Sequence, residues 1–220
     1  MSISVAAQTD KRRIDNFPMY GQPDIVRPEH LKILDEHFIA TAVKTYGSRA
    51  KASQAWYEQG EEFLRQNNLD FAMRRYNQSW LLDPNNHQPY WGFGRVLLRR
   101  KECDSALQQF AKARELVNDK FQRVAVMSDS GVAYGFCATL IPHENPKERN
   151  KYFERANRQF AETTRLNPGY AVAWYRWAQV LLEQKQAKET WEKVRRAQSA
   201  GYTVPEDFLV RLRQLMPDPK

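Results

Sequence analysis

The chain has 220 residues, 42% hydrophobic and 27% charged, with only 9 glycines and 11 prolines, which suits a packed core and excludes collagen-like or low-complexity chains. No stretch approaches the roughly 18 apolar residues of a transmembrane helix, and two cysteines cannot build a disulfide scaffold or a four-cysteine zinc site. The net charge of +8 is spread thinly along the chain, which disfavours a nucleic-acid binder because such proteins concentrate basic residues on one face.

Residues 1–27 are predicted to form a flexible or extended arm. Pro18, Pro23 and Pro28 prevent a helix there, and the segment shows no apolar period. Deletion of residues 1–26 is therefore expected to leave the stability of the chain almost unchanged.

A single helix is predicted next, over residues 29–46. Its apolar positions recur at helical spacing and define one face. That face consists of Leu31, Leu34, Phe38, Ala42 and Tyr46. Gly47 follows where a helix C-terminus favours glycine, so we expect this helix to end there and to pack on the segment after it.

The segment from about residue 50 to residue 202 repeats itself with a period of 34 residues. The first unit carries Trp56, Gly60, Phe63, Ala72 and Tyr76, and 34 residues later the chain has Tyr90, Gly94, Leu97, Ala106 and Phe110. The same offset relates Ala156, Phe160 and Thr163 to Thr190, Val194 and Ala197. This pattern resembles the tetratricopeptide repeat, in which an aromatic, a small residue and an A-x3-F element recur at fixed spacing.

The resemblance implies an all-α fold, a right-handed α-solenoid of four helix pairs within a domain over residues 28–220. The repeats are expected at about 50–85, 86–119, 120–169 and 170–202. Small residues let the helices approach closely and aromatic rings fill the spaces opposite them. A C-terminal capping helix is predicted over 205–216. Its apolar stripe consists of Phe208, Leu209, Leu212 and Leu215.

The third repeat carries an insertion. The spacing from Gly131 to Ala156 exceeds the corresponding spacing from Gly60 to Ala72 by 13 residues. We therefore predict two long helices, at about 121–141 and 146–166, each one to two turns longer than its neighbours. Two interpretations of the inserted segment 142–150 stay open. It is a second contact site for a partner, or it is a surface insertion, which lowers the stability of the fold very little.

The sequence predicts no catalytic, metal or cofactor site, and hence a protein that is not an enzyme. The four histidines lack the spacing of metal ligands. Cys137, in a different repeat unit from Cys103, is interpreted as a small core residue. The histidines are His30, His37, His87 and His143.

Binding of a protein or peptide partner is the predicted function, as the resemblance implies a concave groove lined by the first helix of each repeat. Helical phase selects the groove-facing positions, and aromatic rings beside arginine are typical of binding hot spots. The candidate partner-binding residues are Tyr57, Arg65, Trp91, Arg95, Arg99, Tyr175 and Gln179. Other positions assigned to this face are Gln54, Glu61, Gln88, Ser128, Val132, Phe136 and Glu183. The rings have a second interpretation, in which they pack on neighbouring helices or on the arm.

The leading hypothesis is an adaptor that holds an extended peptide or a helix in this groove, with Trp91 and Arg95 at its centre. A site for carboxylate-ended chaperone tails is disfavoured, because Glu61 would oppose the carboxylate. Two alternatives are a structural subunit, acting through its convex face, arm or inserted loop, and a regulatory module or undetected enzyme.

The compartment has two interpretations. The chain as it stands begins without a charged segment followed by an apolar one, which predicts a cytoplasmic protein. The small residues Val5, Ala6 and Ala7 resemble the end of a secretory leader, so a periplasmic or exported protein with its leader missing stays an alternative.

Overall fold

The computed structural model describes residues 13–219, and this part of the chain is all-α, with two short 3-10 helices, ten α-helices and no strand. The α-helices are α1 Glu29–Tyr46, α2 Arg49–Arg65, α3 Leu69–Leu82, α4 His87–Arg99, α5 Cys103–Leu116, α6 Lys120–Leu140, α7 Pro146–Leu166, α8 Ala171–Glu183, α9 Ala187–Ser199 and α10 Glu206–Leu215. In order along the chain these are the predicted extra helix, four helix pairs and the C-terminal helix. The chain divides into two compact units, Met1–Val96 and Leu97–Lys220.

In the first unit, close packing of α2 on α3 depends on glycine. A Cβ atom on Gly60 would lie 2.4 Å from the Tyr76 ring, and one on Gly92 of α4 would lie 2.6 Å from it. Tyr76 is fully buried between them. The side chains of Ser48 and Asn68 cap the N-termini of α2 and α3 by accepting bonds from backbone N–H groups.

The predicted apolar face of α1 is only partly correct. Phe38 and Ala42 pack against Ala52 and Leu82, as expected, but Leu34 keeps 62% of its surface exposed. Ile39, which lies outside the predicted face, packs against the same cluster. The contact with α2 is therefore confined to the C-terminal half of α1.

The arm was predicted to be extended or flexible, and for residues 14–21 this is wrong. Two 3-10 helices, Ile14–Asn16 and Pro18–Gly21, pack against α3. The buried Asn77 amide of α3 donates to the carbonyl oxygens of Asp15 (2.9 Å) and Phe17 (2.8 Å) and accepts from the Tyr20 N–H (3.1 Å). Proline prevents an α-helix here, but one polar side chain 60 residues away orders the segment. Residues 1–12, including Val5–Ala7, lie outside the described part.

In the second unit, α6 and α7 each have 21 residues, against 13 in α8 and in α9. This confirms the two long helices of the third repeat. The inserted residues thus mainly lengthen the helices and leave a short exposed connection between them. Gly131 allows the close approach, since a Cβ atom there would lie 2.8 Å from the ring of Phe160.

A disulfide joins Cys103, the first residue of α5, to Cys137 near the end of α6. Cys137 is buried, as expected of a small core residue, but the sequence analysis did not predict its bond to Cys103. Because α5 and α6 run antiparallel, the start of one lies beside the end of the other, and the two Cα atoms are 5.9 Å apart.

The C-terminal helix α10 covers the end of the α8–α9 pair. Phe208, Leu209 and Leu212 are buried against a cluster that includes Trp191 and Val194. Leu215, also assigned to the apolar stripe, is half exposed, because it lies in the last turn of the helix.

Candidate functional site

The second unit has an open cleft of about 360 Å³ between α6, α8 and α10. Its walls are mainly apolar and come from side chains one turn apart on each helix. They include Val132, Gly135 and Phe136 of α6, Val180 and Leu182 of α8, and Phe208 of α10. A Cβ atom on Gly135 would lie 2.5 Å from Val180, so glycine is needed for this packing of α6 on α8. We call this feature the α6–α8–α10 cleft.

Two ion pairs lie at the edge of this cleft. Arg176 of α8 contacts Asp129 at 2.7 Å and donates to the Ser128 hydroxyl at 3.1 Å. Arg211 of α10 contacts Glu183 at 3.2 Å. The arrangement is an apolar floor with charged groups around it, which is the usual composition of a peptide-binding surface.

The first unit has a polar cluster on the facing sides of α2, α3 and α4, which we call the Arg95 cluster. The Arg95 guanidinium pairs with Glu61, donates to the Tyr57 hydroxyl at 3.1 Å and lies 4.9 Å from the ring of Trp91. The Tyr76 hydroxyl donates to Glu61 at 2.6 Å. Arginine and glutamate keep only 23% and 26% of their side-chain surface exposed.

Burial and charge act together in this cluster. Burial raises the pKa of the Tyr57 and Tyr76 hydroxyls well above the usual range, so both stay protonated and can donate. Burial opposes the charged form of Arg95, but the negative charge of Glu61 and its hydrogen bond with Arg95 favour that form, and the pKa of Arg95 is raised. The cluster is thus a permanently charged, hydrogen-bonded contact between three helices.

The structure separates the predicted partner-binding residues into different environments. Tyr57 follows the second of the two interpretations of the rings, because it is packed in the interior: it is 7% exposed and its ring centroid lies 5.7 Å from that of Tyr76. The Arg95 guanidinium is held by the contacts of its cluster. Trp91 is half-buried, and its ring lies against that guanidinium. Arg65, paired with Glu62, and Arg99 are both exposed.

On α8 the three positions chosen from helical phase, Tyr175, Gln179 and Glu183, divide between two environments. Tyr175 stacks on Tyr202, with ring centroids 4.7 Å apart, and contacts Phe208 edge-on, so it packs on the C-terminal segment rather than lining the cleft. Gln179 and Glu183 do line the cleft, with Arg176 instead of Tyr175. Helical phase alone could not show which ring the capping segment covers.

Sequence reasoning missed Arg176, Arg211, Phe208 and Gly135. A signal existed for Gly135, which follows Gly131 by one turn and so extends the small-residue face of α6. Phe208 and Arg211 lie on the capping helix, which the repeat pattern does not include. Their place in the cleft depends on how that helix packs.

The described residues contain no group of three or more histidine, cysteine, aspartate or glutamate side chains that could hold a metal ion. Over residues 13–219, no helix is long and apolar enough to cross a membrane. The cleft presents apolar side chains with ion pairs at its edge, and the Arg95 cluster presents hydrogen bonds and an ion pair.

No sequence-family model matches the chain, and no curated protein sequence matches it. Among solved structures, a crystal structure of MamA has a TM-score of 0.51 and 13% identity, covering 80% of this chain and 96% of MamA. Pseudomonas aeruginosa PilF has a TM-score of 0.36 at 14% identity, covering 77% and 86% of the two chains. YrrB, described as a TPR protein with an unusual peptide-binding site, has a TM-score of 0.32 at 16% identity, covering 80% and 96%.

The likeness to MamA covers most of both chains and supports a tetratricopeptide-like fold. The likeness to MamA agrees with the recurring glycine–aromatic contacts, Gly60 with Tyr76 and Gly131 with Phe160, in the helix pairs of this chain. This chain has the tetratricopeptide-repeat fold.

Proposed function

We propose that this chain is a non-enzymatic adaptor that binds a partner protein through the α6–α8–α10 cleft. The observation that carries the proposal is the cleft itself, where apolar side chains of three helices meet beneath two arginines. Four positions chosen from helical phase, Val132, Phe136, Gln179 and Glu183, lie together in it.

The cleft favours a peptide or helix with an apolar anchor and flanking polar groups. Val132, Phe136 and Val180 provide contact for an aliphatic or aromatic side chain, since burial of apolar area stabilises such a contact. Arg176 and Arg211 already have carboxylate partners, so they offer hydrogen bonds rather than uncompensated charge. Nucleic acid fits this surface poorly, because few free positive charges face the ligand.

The first unit supports a second contact centred on Trp91. Its half-buried ring lies against Arg95, and Tyr57 and Glu61 hold that guanidinium in place. A planar aromatic ring with a positioned arginine is typical of interface hot spots. Tyr57 then acts as a positioning residue for the Arg95 guanidinium.

The test uses Phe136→Ala and its matched control Phe121→Ala, on the same helix. Phe121 is 76% exposed and lies outside the cleft. Tagged wild-type and variant chains are incubated with extract of the native organism, and bound proteins are quantified by mass spectrometry. A partner so found is purified and titrated. We expect Phe136→Ala to weaken its binding by about 2 kcal/mol and Phe121→Ala to leave it unchanged.

The proposal is contradicted if the two variants bind equally well while circular dichroism shows both folded. A loss with Phe121→Ala alone would place the contact on the opposite end of α6.

The alternative function is a structural subunit of a larger assembly. It is supported by α1, where Ile33 and Leu34 each keep 62% of their surface exposed and no described element covers them. Exposed apolar side chains grouped on one helix favour association. Sedimentation of the purified chain distinguishes the two functions. A structural subunit should form larger species that the variant Leu34→Asp dissociates. An adaptor without its partner should sediment as a single chain.

A further inference from the structure

The first unit has a cavity of about 380 Å³ that shares no lining residue with the Arg95 cluster. The arm forms one wall, and the first turn of α1 and one face of α3 form the others. Four arginines contribute to its lining. These are Arg13 and Arg27 of the arm and Arg74 and Arg75 of α3. We call it the arm cavity.

The acidic groups at the arm cavity do not balance these arginines. Arg27 pairs with Asp35 of α1 through two hydrogen bonds, which leaves that pair neutral. Asp15 lies between Arg13 (3.1 Å) and Arg74 (3.2 Å), so one carboxylate is shared by two guanidinium groups. Among the described residues that line the cavity or pair with its lining, four positive charges thus face two negative ones, and the difference is two positive charges.

Arg75 is the cation with no acidic partner among the described residues. One of its amino groups donates to the Gln78 side-chain oxygen at 2.8 Å, and its guanidinium lies 4.7 Å from the Trp56 ring. Burial, and then the charge of Arg74, lower the pKa of Arg75, as expected for a guanidinium that lacks a carboxylate.

Some nitrogen donors on arginines that line the arm cavity also have no hydrogen-bond acceptor in the described structure. The Nε atom of Arg75 and one terminal nitrogen of Arg27 are buried without a hydrogen-bond partner in the described structure. Buried donors of this kind are rare, and an unfilled ligand position is one cause. Asp15 too keeps one buried oxygen without a donor. Its negative charge opposes an anion, but the two arginines beside it outnumber it.

We propose that the arm cavity binds a phosphate group, either free or as a small phosphate ester. A phosphate dianion matches the excess of two positive charges, and guanidinium groups are suited to its several oxygens because each presents paired donors. The volume is at the lower end for small-ligand pockets, so a phosphate with a small organic group fits better than a large molecule. This site goes beyond the adaptor function and does not depend on it.

The experiment measures binding of inorganic phosphate, glycerol 3-phosphate and acetate to the full chain by calorimetry and by thermal unfolding, with ionic strength held constant by sodium chloride. We expect about 20 mM phosphate to raise the melting temperature by about 3 °C or more, because a ligand that binds only the folded state stabilises it. Tighter binding of glycerol 3-phosphate than of phosphate identifies an ester, and the reverse identifies the free ion.

Arg75→Gln is expected to weaken phosphate binding by at least about tenfold, because it removes the cation without an acidic partner. Arg65→Gln is the matched control, since Arg65 is an exposed arginine of the same unit and pairs with Glu62 outside the cavity. It should bind phosphate like the wild type. Arg13→Gln, at a 71% exposed position, serves as a second variant if loss of the Arg75–Trp56 contact prevents folding.

Three results would overturn the proposal. These are no melting shift beyond that of sodium chloride, an equal shift with acetate, and phosphate affinity in folded Arg75→Gln or Arg13→Gln equal to that of Arg65→Gln.

Discussion

Arg95 joins four side chains of the first unit through a single charge. Its guanidinium reaches Glu61 and Tyr57 on α2, its own helix supplies Trp91, and Glu61 in turn accepts from Tyr76 on α3. A partly buried charge of this kind is stable only with its partners, because each ion has lost much of its hydration. The same residue therefore stabilises the helix contacts and positions Trp91 for binding.

At this scale we predict that Arg95→Ala lowers the free energy of unfolding by about 2 kcal/mol, because Glu61 and the Tyr57 hydroxyl lose their partner in a largely dehydrated place. Arg65→Ala is the control, since its ion pair with Glu62 lies on the surface and such pairs contribute little. Urea unfolding measures both variants. Equal midpoints for the two would show that the Arg95 cluster adds no stability.

At the scale of elements, the Asn77 side chain makes the hydrogen bonds that hold the arm backbone to α3. Asn77 is fully buried and makes three hydrogen bonds with the arm backbone, and Tyr20 packs near Trp80 with ring centroids 6.4 Å apart. Removal of residues 1–26 would leave that amide without partners. From these contacts we expect the deletion to lower the free energy of unfolding by more than the sequence analysis predicts.

We predict that Asn77→Ala releases the arm and lowers the free energy of unfolding by about 2 kcal/mol, because two carbonyl groups and one N–H lose their bonds. Limited proteolysis should then cut within residues 13–27 of the variant much faster than in the wild type. Asn85→Ala, at an exposed position, provides the control. Equal cleavage in the two variants would show that Asn77 does not hold the arm.

The disulfide is a second contact between elements, and it connects α5 to α6 across a sequence separation of 34 residues. A cross-link of this loop length restricts the unfolded chain, which stabilises the folded state by up to about 4 kcal/mol. We expect the double variant Cys103→Ser, Cys137→Ser to unfold at lower urea than the oxidised wild type. Dithiothreitol should lower the midpoint of the wild type and leave that of the double variant unchanged.

At the scale of the whole molecule, the disulfide bears on the compartment. Disulfides persist in oxidising compartments and are rare in the cytosol. The bond between Cys103 and Cys137 thus favours the exported alternative over the cytoplasmic interpretation, and we propose an oxidising compartment for this chain.

We predict that N-ethylmaleimide added to intact native cells before lysis leaves both cysteines unmodified, because they are already bonded. After reduction, a second reagent should label both. Peptide mass spectrometry reads the two labels, and a cytosolic protein without disulfides provides the control. Modification of Cys103 and Cys137 by the first reagent would place the chain in a reducing compartment.

The sequence by itself determined the helices and their order. The 34-residue repeat of small and aromatic residues is a local pattern, because the two helices of each pair need these residues to pack against each other. Gly60 with Tyr76, and Gly131 with Phe160, show this directly. The long α6 and α7 also followed from local signals, since Pro142 cannot continue a helix and Pro146 favours the start of one.

Only the tertiary structure decided which side chains are covered. Whether Tyr57 or Tyr175 is free to bind depends on Tyr76 and Tyr202, which approach them from other elements. The order of the arm depends on Asn77, some 60 residues away, and the disulfide depends on antiparallel packing of α5 on α6. Helical periodicity gives the faces of each helix, but burial is a property of the neighbours that meet those faces, and sequence spacing does not contain it.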